Sequence, residues 1–136
     1  MTNARTAPAR WSFAASKADR ALCARSGFVD HLRASADRSS DLDAAQMIFA
    51  ELVGNVARHA PGPIWIGVDW TAESKARLRV RDSGPGFALL PELPGDRLSE
   101  CGRGLYIVAA LADSVSVERD EAGTVVSAIL PVQLAA

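Results

Sequence analysis

The chain predicts an α/β sandwich in which helices cover one face of a mainly antiparallel, mixed sheet. Three observations lead there. Apolar residues recur at helical spacing in two stretches of the first sixty residues, they alternate with polar ones in later short runs, and Pro- or Gly-rich breaks separate the two regimes. At 136 residues, 49% apolar and with a formal charge of −1, the sequence fits one domain with a single core.

Arg10 to Ala14 alternates, with Trp11 and Phe13 on one face, and predicts a first strand. Ser16 is suited to cap a helix running to about Ala34, with Leu22, Phe28, Val29 and Leu32 as its apolar flank and Arg20, Ser26 and Asp30 toward water. Ser39, Ser40 and Asp41 supply acceptors for the first N–H groups of a second helix, whose buried stripe is Ala45, Ile48, Leu52 and Val56. Pro61, Gly62 and Pro63 stop it.

Beyond that break the period becomes two. Ile64 to Trp70 and Ala76 to Arg81 read as a hairpin turned at Glu73 and Ser74, with Leu78 and Val80 inward and Arg77, Arg79 and Arg81 outward. The segment Phe87 to Glu100 holds two prolines and a glycine yet is too apolar for a linker, and is expected to be a lid. A helix from about Arg103 to Leu111 and a closing hairpin, Val115 to Glu118 and Thr124 to Leu130, complete the order. Residues 1–9 are expected to be a flexible tail and 10–136 the single domain.

Near-neutral charge gives no basic field of the kind that nucleic acid requires. The polar N-terminal residues resemble neither a signal peptide nor an anchor, and no later segment reaches the roughly 20 apolar residues that span a bilayer, so a cytoplasmic protein is expected. Cys23 and Cys101 lack partners at zinc-ligand or disulfide-framework spacing; Cys23 is expected to fill a helix interior as a small apolar residue. His31 reads as a plain surface histidine.

Three constellations carry chemistry. In ELVGNVARHA, Glu51, Asn55 and His59 recur every four residues, slightly more than one turn, and so form a polar stripe along one flank of the second helix beside Arg58. Asn is a poor interior helix residue and needs compensation, which a hydrated Mg²⁺ would supply, since that ion accepts a neutral carbonyl oxygen and keeps waters and phosphate oxygens elsewhere. Glu51 would then be placed to polarise an attacking water or hydroxyl. A solvated flank with a Glu/Arg pair is the competing reading. In RDSGPGF, Asp82 ends a strand before Gly84 and Gly86; its carboxylate could accept from the amine of adenine while the glycines admit a flat ring, although the same residues make an ordinary turn. In GRGLYIV, Gly102, Arg103 and Gly104 open a helix whose N–H groups suit a phosphate. No full G-x-G-x-x-G and no Gly-Lys-Ser/Thr is present, so Rossmann and P-loop sites are excluded.

In this order the three resemble the N, G1 and G2 boxes of the GHKL, or Bergerat, nucleotide-binding fold. The whole run ELVGNVARHA…RDSGPGF…GRGLYIVAALADSV…GTVVSAIL resembles the serine/threonine kinase anti-sigma factor family over roughly Phe13 to Leu130. The resemblance implies a two-layer sandwich with an ATP lid. It puts the catalytic base on Glu51 and the Mg²⁺ ligand on Asn55. Asp82 takes the adenine contact, with Gly84 and Gly86 beneath the ring and Thr124 supporting it through Asp82 or a water. Gly102, Arg103, Gly104 and Leu105 take the phosphate end of the lid, and Arg58 a phosphate contact. His59 matches a family histidine that serves either a structural hydrogen bond or the ATP.

The function so implied is ATP-dependent phosphorylation of a Ser or Thr on an anti-sigma factor antagonist, with a sigma factor as competing partner and a homodimer as the assembly. Two alternatives remain open: a non-catalytic partner-switch module, and a histidine-kinase-like ATPase domain. His31 has no acidic residue after it and no preceding helical hairpin, so a phosphoacceptor is expected on another protein.

Overall fold

Period-two patterning becomes a five-stranded sheet, and the helical stripes lie against it. The computed structural model describes residues 7–14, 20–21, 23–59, 62–82, 100–121 and 123–136, with the backbone alone at 58–59, 100–105 and 120. The elements are β1 (Ala9–Phe13), α1 (Arg25–Arg33), α2 (Leu42–His59), β2 (Ile64–Trp70), β3 (Lys75–Asp82), α3 (Glu100–Leu111), β4 (Ser114–Asp120) and β5 (Gly123–Gln133). The strand order is β1-β2-β3-β5-β4. Every pairing among these strands is antiparallel, so the expected mixed character is absent from the described sheet.

Registry sets the two faces. Trp11 opposes Ile66, Ile66 opposes Val80, and Val80 opposes Val126, which carries one row of apolar side chains across four strands to the helical side. Ile48, Phe49, Leu52, Val53 and Val56 of α2 are buried over that face, and Phe28 of α1 stacks on Phe49 with ring centroids 4.6 Å apart. Each such large side chain contributes about 1.5–3 kcal/mol through removal from water.

α1 begins at Arg25, later than the sequence pattern predicts, and Ala24 at its N-cap makes no side-chain capping bond. The preceding described residues form 3₁₀ turns, and Ser16 and Leu22 lie outside the described residues. Phe28, Val29 and Leu32 are buried as expected. Cys23 is exposed, which corrects its assignment as interior filler: the short turn before α1 aims it outward instead of into a helix core. His31 also departs from a surface histidine, for it is half-buried and its Nε2 is buried without a hydrogen-bond partner among the described residues.

α2 is tied to the far end of β5. Asp41 caps it by accepting from the Ala44 N–H at 2.9 Å, while its own N–H donates to the Pro131 carbonyl at 2.9 Å. The Gln133 N–H donates to Ser40 Oγ at 2.9 Å, and Asp37 N–H donates to the Gln133 carbonyl at 2.7 Å. Pro131 is tolerated inside β5 because the β3–β5 register shifts between Lys75 and Arg77, a bulge that requires no ladder bond from the missing N–H.

Candidate functional site

From its tether beside Pro131, α2 runs back along β5. Asn55 lies 13 residues beyond Leu42, a rise of ~20 Å, and Thr124 lies seven residues before Pro131, ~23 Å of strand. α2 packs on both β3 and β5, so the polar half of its flank reaches the end of the sheet at which β3 stops and β5 starts. Asp82 is the last residue of β3 and Thr124 the second of β5, and the two are directly paired.

Four polar side chains are buried among the described residues: Ser35, Asn55, Asp82 and Thr124. Ser35 belongs to the connection between α1 and α2, where its carbonyl accepts from the Ala135 N–H at 2.8 Å. The other three are residues the sequence assigns to chemistry. Interior positions accept such groups only when their hydrogen-bonding capacity is used, and a carboxylate at 1% exposure beside a hydroxyl at 2% is a costly pair to bury in a core that is otherwise apolar. Ile64 flanks Asp82 on its other side and is fully buried. The arrangement can accept from an amine donor and shield the contact.

Glu51, one turn before Asn55, is half-buried, as a group that must both be held and reach a reactant would be. Asn55 has no exposure. Among the described residues no three His, Cys, Asp or Glu side chains are grouped to hold a metal ion. A buried neutral carboxamide fits Mg²⁺, which uses few protein ligands and completes its shell with waters and phosphate oxygens.

Arg58 and His59 occupy the last turn of α2, but their side chains lie outside the described residues, as do Gly84, Gly86 and most of the expected lid at 87–100. Gly102, Arg103, Gly104 and Leu105 are in α3, which starts at Glu100 and not at Arg103. Gly102 and Arg103 still contribute to the first four N–H groups, which lack partners within a helix. The side chains of Cys101, Arg103 and Leu105 are outside the described residues.

The opposite face of the sheet carries a groove of about 730 Å³, lined among others by Arg10, Trp65, Gly67, Arg79 and Val125. The sequence pattern places Arg77, Arg79 and Arg81 on this side but gives no hint of a concavity. Its signal is the Arg10, Gly67 and Arg79 alignment, which becomes visible only once the strand registers are known.

The profile of the histidine kinase-like ATPase domain matches residues 13–130. The chain is similar in structure to the RsbU and RsbW domains of Rv1364c from Mycobacterium tuberculosis, with 20% identity and a TM-score of 0.66 over 96% of this chain and 34% of that one. It is also similar to the Acinetobacter baumannii histidine kinase AdeS, with 16% identity and a TM-score of 0.51 over 90% of this chain and 66% of that one. The chain thus spans about a third of the first structure and just under two thirds of the second. No curated protein matches it by sequence. Among the described residues no helix is long and apolar enough to cross a membrane. With a match over most of its length and the sandwich architecture of its neighbours, the chain belongs to the histidine kinase-like ATPase domain family, of GHKL type.

Proposed function

We propose that the protein is an ATP-dependent serine/threonine kinase that acts as an anti-sigma regulatory factor in the cytoplasm. It transfers the γ-phosphate of ATP to a Ser or Thr of an anti-sigma factor antagonist and binds a sigma factor. The observation that carries this reading is the buried Asp82–Thr124 pair at the end of the sheet reached by the Asn55 flank of α2. Family membership supports ATP as the nucleotide.

Asp82 accepts from the adenine amine and Thr124 orients that carboxylate, with Gly84 and Gly86 giving the ring room. Arg58, Gly102, Arg103, Gly104 and Leu105 hold the phosphates; His59 steadies this flank or meets the phosphates. Asn55 would hold Mg²⁺, whose charge offsets that of the phosphate oxygens. Glu51 takes the proton of the acceptor hydroxyl as its oxygen forms the new bond to the γ-phosphorus; the bond from that phosphorus to the bridging oxygen breaks, and ADP leaves with its electron pair. A homodimer is the proposed assembly.

The test is Glu51→Gln, which keeps size and hydrogen bonding but cannot take the proton. MgATP binding measured by calorimetry should persist, while transfer of radiolabelled phosphate to a cognate antagonist falls by roughly 10² to 10⁴. Transfer at the parental rate would remove the assignment of Glu51. MgATP binding without transfer by the parental protein would favour a non-catalytic partner-switch module.

A further inference from the structure

α2 and α3 pack against each other, and their ends fix their relative course. Asp41, just before α2, donates its N–H to the Pro131 carbonyl of β5 at 2.9 Å, and Asp113, after α3, donates to the Ile129 carbonyl of β5 at 2.8 Å. α2 therefore starts beside the end of α3, and the helices run antiparallel. Met47 lies five residues into α2 from Leu42, and Tyr106 five residues before α3 ends at Leu111, each a rise of ~7.5 Å. The two stand level on neighbouring helices, whose axes such packing sets ~8–10 Å apart.

Both side chains point away from the sheet. Each is two positions, ~200° of helix, from a fully buried residue on the sheet side: Met47 from Ala45, Tyr106 from Val108. Met47 is 51% and Tyr106 60% exposed, and Ala109 and Ala110 near Tyr106 are exposed as well. Met and Tyr are residue types that protein interfaces enrich. Their position decides what covers them. Glu51, half-buried, is one turn beyond Met47 on the same flank of α2, ~6 Å along the helix, and ~10–12 Å from Tyr106. A stable protein contact covers ~800 Å² on each side, a disc ~16 Å in radius. A folded protein that presents a hydroxyl to Glu51 therefore covers Met47 and Tyr106 in the same contact. One turn before Met47, Asp43 is exposed and makes no ion pair within 4 Å among the described residues.

We propose that Met47 and Tyr106 form the docking surface for the phosphoacceptor protein. That partner seats an apolar side chain between them and a basic one at Asp43, ~12 Å from the hydroxyl it presents to Glu51. This inference rests on the kinase reading and adds where the affinity for the protein substrate resides: in an apolar contact outside the nucleotide site. A polynucleotide would instead meet the carboxylates of Asp43 and Glu51 at both ends of the patch.

The probe is the purified antagonist used to test Glu51, with phosphate transfer measured across its concentration. Met47→Glu and Tyr106→Ala should each raise its KM at least about tenfold, while kcat at saturation, MgATP affinity and the circular dichroism spectrum stay as in the parent. Tyr106→Phe and Met47→Leu should keep the parental KM. Asp43→Asn should raise KM about two- to fivefold and flatten its dependence on salt. An unchanged KM in both Met47→Glu and Tyr106→Ala, or loss of MgATP binding along with transfer, would overturn the proposal. Were the parent to bind antagonist without transferring phosphate, the kinase reading alone would fail. Docking is then read from the dissociation constant of the antagonist in MgADP: the same tenfold weakening supports the surface, and an unchanged constant, or no binding at all, sinks it. So does a dimer in sedimentation that Met47→Glu dissolves, since a second copy then occupies the patch.

Discussion

Asp82 and Thr124 face each other across β3 and β5, and both are buried at the end of the sheet where no further ladder pair follows on β3. Burial of an acidic group is expensive unless its oxygens accept hydrogen bonds. The register sets Thr124, with its hydroxyl, directly opposite Asp82.

Asp82→Asn keeps the volume and turns an acceptor into a group that also donates. ATP affinity should drop about ten- to a hundredfold, the effect of mispairing one buried hydrogen bond to a charged group. Thr124→Val should cost less, and the double variant should fall short of the sum, because the hydroxyl acts through the carboxylate. Calorimetric titration with MgATP measures all three; full additivity would mean that the two residues serve different contacts.

Asn55 separates a structural role from a metal-holding one. If its carboxamide holds Mg²⁺, Asn55→Ala should abolish the gain in ATP affinity that Mg²⁺ gives the parent, while metal-free nucleotide binding changes little. A purely structural amide would instead lower stability by about 1–3 kcal/mol and leave the Mg²⁺ dependence in place. Titrations with and without Mg²⁺, paired with urea denaturation, read the two effects separately.

Strands were the most legible elements because period-two alternation survives wherever one face is covered. β2 matches its expected span and β3 extends one residue past its own at each end, with the hairpin turning at Ser74, whose φ is 64°. Less was legible at helix starts. Gly102 and Gly104 read as helix openers, yet α3 begins two residues before the first of them, since glycine weakens a helix without forbidding it when tertiary packing compensates. β5 continues to Gln133, past Pro131, owing to a bulge and to bonds from the α1–α2 connection that no local pattern encodes. In the site, Asn55, Asp82 and Thr124 were legible as residue types misplaced beside apolar runs. Their convergence depends on the antiparallel course of α2 over β5, a long-range fact.

Gly27 offers a stability test independent of function. It lies inside α1, and a Cβ placed there would sit 3.5 Å from Trp11 Nε1, an ordinary contact distance. Its φ is not positive, so alanine incurs no backbone strain. Gly27→Ala should therefore raise stability by about 0.5–1 kcal/mol by restricting the unfolded chain and adding a contact to the indole. Urea denaturation checks it; a loss would show that Trp11 cannot hold its position above a methyl group.

The Asp69–Arg77 pair predicts a pH dependence on the open face. Arg77 Nε donates to Asp69 Oδ1 at 2.9 Å and its Nη2 donates to Oδ2, and these bonds hold the Asp69 carboxyl below its ordinary value of 3.8. A carboxylate depressed on folding stabilises the native state above its unfolded pKa, and that contribution is lost as pH falls through the lower folded value. Both side chains are about 30% exposed, so solvent limits the pair to about 0.2–1 kcal/mol. Asp69→Asn should thus lower the Tm by about 1–4 °C near neutral pH. The gap should be constant well above the ordinary value of 3.8 and close as pH falls through the lower folded value, where the parental carboxyl is itself protonated. Thermal unfolding of parent and variant across that range decides it, and a gap that persists unchanged into acid would mean that the lost side chain mattered for packing and not for its charge.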